Sequence, residues 1–148
     1  MMSADCPFCA GNLTRATVAE TAHCRTLYNV APLVPGHCLI VPKRHVTRLI
    51  ELGAVERDEL FRCAPRMAEL LMQVYGCDGY DLSMQQGASA GQTVMHLHLH
   101  IVPRRPDDLP SSNWHDQLLD SASRPRLTSE ELAGEVVKLR RALGGDLT

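Results

Sequence analysis

The sequence predicts an α+β fold, an antiparallel sheet of five strands that carries two main helices. Three observations predict it. The run Val94–Met95–His96–Leu97–His98–Leu99–His100–Ile101–Val102–Pro103 alternates with a period of two, the signature of a strand. Two stretches, 54–75 and 128–144, place apolar residues three and four apart, the signature of an amphipathic helix. The other strand-like runs follow one another closely in sequence, which fits antiparallel pairing with helices packed on the sheet.

Taken in order, residues 1–12 read as a loop that holds Cys6-Pro7-Phe8-Cys9. Residues 16–21 and 24–30 read as two short strands joined near Ala22-His23. Residues 36–42, with Leu39, Ile40 and Val41, read as the third strand. The long helix is predicted over 54–75, with Leu60, Ala64, Met67, Leu71 and Val74 as its buried stripe. Pro65 removes one backbone hydrogen bond inside that helix and is expected to kink it. Residues 80–84 form the fourth strand. The following loop, 85–91, is small and holds glycine, which suits close approach of a ligand to backbone. The histidine-bearing run is the fifth strand. Residues 104–127, rich in Arg, Pro, Asp and Ser, read as a long irregular excursion. The last helix starts near Thr128, where Thr128 and Glu131 make a capping-box pattern, and buries Leu132, Val136, Leu139 and Leu143. The whole of 1–148 is expected to be one domain.

Composition narrows the function. Lys plus Arg total 15 against 17 for Asp plus Glu, a net charge of −2. That is no basic signature for bulk nucleic acid, although a mononucleotide-sized ligand needs only a few placed donors. The sequence shows no signal-peptide pattern, and no apolar run approaches the ~20 residues of a membrane span. A cytoplasmic location and no membrane partner are therefore expected. Disulfides among the six cysteines are not expected there. Cys38 and Cys63 fall in strand and helix patterns and read as small buried hydrophobes.

The alternating run gives one face to His96, His98 and His100 and the other to Leu97, Leu99 and Ile101. A purely structural strand has little use for three titratable rings about 6.5–7 Å apart. An imidazole can attack phosphorus and leave again, which splits one hard displacement into two easier ones. Gln85 and Gln92 are neutral amides able to donate to phosphate or leaving-group oxygens, and the turn 92–94 adds backbone donors, which places Thr93 with them. Cys6 and Cys9 have the spacing of a metal knuckle and need two more ligands; His45 and His96 are candidates.

The residues resemble those of the histidine triad (HIT) family, whose signature is His-φ-His-φ-His-φ-φ with φ apolar. The flank Gly91-Gln92-Thr93-Val94, Asn29, Val34-Pro35-Gly36-His37, Val41-Pro42-Lys43-Arg44-His45 and Ser83-Met84-Gln85 fit it too. Within the family the chain looks most like the fragile-histidine-triad branch of dinucleoside polyphosphate hydrolases. The resemblance implies a HIT-like fold and a homodimer. It makes His98 the nucleophile and sets Asn29 against the ribose; His100, its neighbour on the same face, and the Gln85 amide are then placed to donate to the phosphate as its catalytic partners. It also implies a structural Zn2+ on Cys6, Cys9, His45 and His96, as in some bacterial members. The expected reaction is cleavage of a dinucleoside polyphosphate at the α-phosphate through a nucleotidyl-histidine. A nucleoside phosphoramidase and a nucleotidyl transferase or phosphorylase share the same chemistry and stay open. So do a metal hydrolase with the triad as ligands and a nucleotide sensor without turnover. His37 reads as structural, His23 as an exposed turn residue, and His115 as part of the irregular segment.

Overall fold

The computed structural model describes residues 4–9, 12–109 and 113–144. Residues 1–3 and 10–11 of the predicted N-terminal loop, 110–112 of the excursion, and 145–148 lie outside the described residues. The strands are β1 Thr17–Glu20, β2 Cys24–Tyr28, β3 Cys38–Pro42, β4 Gly79–Ser83 and β5 Leu99–Arg104. They form a single five-stranded sheet in the order β1-β2-β3-β5-β4, and every neighbouring pair is antiparallel. The helices are α1 Ala54–Tyr75, α2 Trp114–Leu119 and α3 Ser129–Leu143.

Register explains where the cavity lies. Thr17 faces Leu27, Leu27 faces Leu39, Leu39 faces His100, and His100 faces Ser83. Residues opposite one another share a face of the sheet. One row thus crosses all five strands and carries His100 on β5, between Leu39 and Ser83. The alternate residues Cys38, Ile40, Leu99 and Ile101 belong to the other face and are buried in the main core with Leu60, Met67 and Leu71 of α1. α1 runs unbroken through Pro65 and ends at Gly76, whose left-handed backbone caps it. α3 opens on a reciprocal box: the Thr128 hydroxyl accepts from the Glu131 N–H at 3.1 Å, and the Glu131 carboxylate accepts from the Thr128 N–H at 2.7 Å. Its stripe Leu132, Val136 and Leu139 packs into the same core.

The structure changes two sequence expectations. β5 begins at Leu99, so His96 and His98 precede the sheet ladder. There the backbone turns from β3 toward residue 46, where the Leu97 N–H donates to the Val46 carbonyl at 2.7 Å. The excursion is not irregular throughout, because α2 lies within it and buries Leu118 against Val34 and Val102. No helix among the described residues is long and apolar enough to cross a membrane.

Candidate active site and metal centre

The tautomers of the buried histidines follow from their neutral partners. A carbonyl oxygen only accepts, so a ring nitrogen bonded to one must carry the proton. His98 Nδ1 lies 2.7 Å from the His96 carbonyl oxygen and therefore donates to it. His98 Nε2 keeps its lone pair, and the ring lines a cavity of about 400 Å³. The Leu33 N–H donates to His37 Nδ1 at 3.0 Å, so the His37 proton sits on Nε2. That nitrogen is 2.9 Å from His100 Nδ1 and donates to it. His100 is left with an Nε2–H donor, and its ring lines the same cavity. The rings of His98 and His100 are 5.1 Å apart, closer than an ideal strand would hold them. The site therefore pairs an unprotonated nitrogen with a neutral hydrogen-bond donor.

His37 is more than the structural residue expected from sequence. It is fully buried and forms the link that sets the proton of His100. Gly36 makes its turn possible: φ is +92°, and a Cβ there would come within 2.6 Å of the Tyr75 ring and 2.9 Å of Pro103. The Gly36 N–H also donates to the Tyr28 hydroxyl at 2.8 Å. Gly36→Ala is expected to cost about 3 kcal/mol of stability, measured by denaturant unfolding, and to lower turnover by displacing His37.

Burial sets the electrostatics. It pulls His98 below the ordinary imidazole range, against the opposing bond to the His96 carbonyl. It pulls His100 down to about 3, helped by the charges of His98, Arg124 and His115. A neutral buried His100 contributes stability above the unfolded pKa near 6.5, and this is lost as pH falls toward 3. Lowering the pH from 7 to 5 is expected to cost about 2 kcal/mol through this group alone. Urea unfolding of wild type and His100→Asn at both pH values checks it, with the smaller loss expected in the variant.

The other predicted site residues divide. Asn29, Gln85 and Thr93 line the cavity, as do Leu27, Leu39, Tyr28 and Phe8. The Asn29 side-chain oxygen accepts from the Ala31 N–H at 2.9 Å. Gln92 does not line the cavity. Its side-chain oxygen accepts from the Gly87 N–H at 2.7 Å and its amide donates to the Thr47 carbonyl at 3.2 Å, which braces the glycine loop. His23 is half-buried rather than exposed, with its backbone N–H on the Glu59 carboxylate at 2.7 Å. Gly91, φ +88°, packs directly under Leu119 of α2, so the excursion supplies part of the cavity wall.

Beside this cavity, Cys6, Cys9, His45 and His96 bring their ligand atoms within 4.8 Å of one another, a group able to hold a metal ion. Cys6 Sγ and Cys9 Sγ each lie 3.4 Å from His96 Nδ1, and Cys9 Sγ lies 3.2 Å from His45 Nδ1. A tetrahedral zinc with ordinary bond lengths places sulfur and nitrogen about 3.5 Å apart. His96 Nε2 donates to the Pro42 carbonyl at 2.8 Å, so the unprotonated Nδ1 is the nitrogen turned to the thiols. Burial pushes the Cys6 thiol up, and a bound cation would favour its thiolate. The donor set fits zinc. The loop also delivers Phe8, whose ring lies 5.7 Å from His96 and 5.3 Å from His98.

Comparison with known proteins agrees with this architecture. The bis(5'-adenosyl)-triphosphatase of Dictyostelium discoideum is 35% identical over 114 residues, 77% of this chain and 76% of that protein. The crystal structure of the Caenorhabditis elegans NitFhit protein superposes with a TM-score of 0.71 at 33% identity. It matches 86% of this chain, which spans only 27% of that longer one. A Zn-bound histidine triad family protein from Mycobacterium smegmatis superposes with a TM-score of 0.68 at 25% identity, over 87% of this chain and 84% of the other. Residues 10–107, more than half of the sequence, match the HIT domain, and the chain belongs to that family, the histidine triad proteins.

Proposed function

We propose that the chain is a hydrolase that cleaves dinucleoside polyphosphates at the α-phosphate through a nucleotidyl-His98 intermediate. The carrying observation is the bond from His98 Nδ1 to the His96 carbonyl, which leaves Nε2 as the nucleophilic nitrogen beside the His100 donor. Nε2 attacks the α-phosphorus, the phosphoanhydride bond breaks, and its electron pair leaves on the nucleoside polyphosphate. Water then attacks the same phosphorus, the P–N bond breaks, and a nucleoside monophosphate leaves with His98 restored. His100 Nε2–H and the Gln85 amide donate to phosphoryl oxygens as charge gathers on them. Asn29 and the 93–94 backbone position the ribose and phosphate. A dinucleoside triphosphatase among the relatives supports this substrate class. His96 is turned to the thiols and Pro42, so no triad proton is assigned to the leaving group, and a weakly basic polyphosphate needs none.

Zn2+ on Cys6, Cys9, His45 and His96 would be structural: four protein ligands leave no open position, and the ion would neutralise the thiolates. We read 1–148 as one HIT domain whose excursion walls the cavity. A homodimer is supported by β4, an edge strand whose Tyr80 and Leu82 are 38% and 43% exposed. A cytoplasmic setting is supported by six free cysteines, including five buried ones.

The test is turnover of diadenosine tetraphosphate in water labelled with heavy oxygen. AMP and ATP are expected, with the label in AMP. Two molecules of ADP, or no turnover while adenosine phosphoramidate is consumed, would overturn the reading, the latter in favour of a phosphoramidase.

A further inference from the structure

Among the described residues the cavity wall contains three arginines, Arg15, Arg124 and Arg126, and no aspartate or glutamate. Arg124 is the one built in. It is half-buried just beyond α2, and its guanidinium is fixed by three backbone carbonyls. Nε donates to Ala31 at 2.6 Å, and Nη1 donates to Gln117 at 2.9 Å and Leu118 at 2.6 Å. Those acceptors are neutral. Arg124 forms no ion pair among the described residues, although the charge of Asp120 reaches it. It lines the same cavity as His98 and His100, and its charge reaches His100 and His37. A partly desolvated, rigidly held cation without a carboxylate partner is completed by an anionic ligand. The α-phosphate itself is served by His98, His100 and Gln85, so the guanidinium is surplus to that step.

We propose that Arg124, with Arg126 two residues further on, forms an anion site for the phosphates of the leaving group beyond the α-phosphate. This site favours polyphosphate substrates over phosphoramidates, whose leaving group carries no phosphate. The inference rests on the hydrolase reading and names what the excursion contributes to it. Arg124 also ties α2 to the Ala31 carbonyl, so a structural role must be separated from a binding one.

The experiment compares wild type, R124Q, R124K and R126Q. It measures kcat/KM for diadenosine tetraphosphate and for adenosine phosphoramidate, and competitive inhibition by inorganic tripolyphosphate. The ratio of the two kcat/KM values is expected to shift against the tetraphosphate by at least about tenfold in R124Q. R124K is expected to recover part of it, and tripolyphosphate inhibition is expected to weaken in parallel. Should R124Q melt well below wild type, R126Q is read in its place, with a shift of at least about threefold expected from its exposed cation. An unchanged ratio with undiminished tripolyphosphate inhibition would overturn the proposal, as would an equal fall on both substrates with inhibition intact. If wild type does not cleave the tetraphosphate, the hydrolase reading falls alone. Tripolyphosphate inhibition of phosphoramidate turnover then decides whether the anion site stands.

Discussion

His98→Asn is expected to lower turnover of diadenosine tetraphosphate by more than about ten-thousandfold. Asparagine keeps an N–H that can reach the His96 carbonyl, where His98 Nδ1 now donates at 2.7 Å. What it removes is the nitrogen opposite, the atom that bonds to phosphorus. The remaining donors, His100 Nε2–H and the Gln85 amide, still bind the α-phosphate, so KM should change far less than kcat. Loss of a single such donor costs only about 3 kcal/mol in acyl-transfer enzymes, which makes the nucleophile the larger effect. A variant that keeps a hundredth of the activity would exclude a route through His98.

Loss of the proposed zinc is expected to have the second largest effect, on folding more than on chemistry. Cys9 Sγ contacts both imidazoles of the donor group, so Cys9→Ser breaks two of its edges. Structural zinc sites contribute their binding energy to folding, and the expected fall in Tm is about 10 °C. Calorimetry with and without added zinc checks it, with wild type gaining Tm and the variant not. Nucleotide affinity should fall as well, because Phe8 sits between the two cysteines and packs on His98. That affinity is best measured in the His98→Asn background, where no turnover interferes. A chelator that abolishes activity yet leaves Tm unchanged would point instead to a catalytic ion.

Much of this arrangement was legible in the sequence because it rests on local rules. Alternation located Leu97, Leu99 and Ile101 on a buried face, and all three are 4% exposed or less. Capping chemistry located the start of α3 at Thr128. The Cys-x-x-Cys spacing, His45 after Pro42-Lys43-Arg44, and His96 at the head of the triad named four residues that the fold brings together. What was not legible depends on contacts between distant segments. Periodicity does not show that the chain leaves the ladder before Leu99, because the residue that draws it away, Val46, lies on another segment. His37 looked like a packed ring because its partner is 63 positions away. Gln92 was expected at the phosphate by residue type, but the nearer Gly87 N–H and Thr47 carbonyl satisfy its amide. α2 escaped notice because it has six residues, too few for an apolar stripe to show. Arg124 gave no signal at all, since backbone carbonyls that orient a guanidinium have no side-chain pattern.

The measurement that tests the central claim most directly is intact-protein mass spectrometry under denaturing conditions, on samples quenched at intervals after mixing with diadenosine tetraphosphate. Wild type should gain the mass of one adenylyl group, located to His98 by fragmentation, and lose it as AMP accumulates. His98→Asn should gain none. AMP formed without an adduct at the earliest times, and abolished by a chelator, would contradict the covalent mechanism and assign the triad to a catalytic metal.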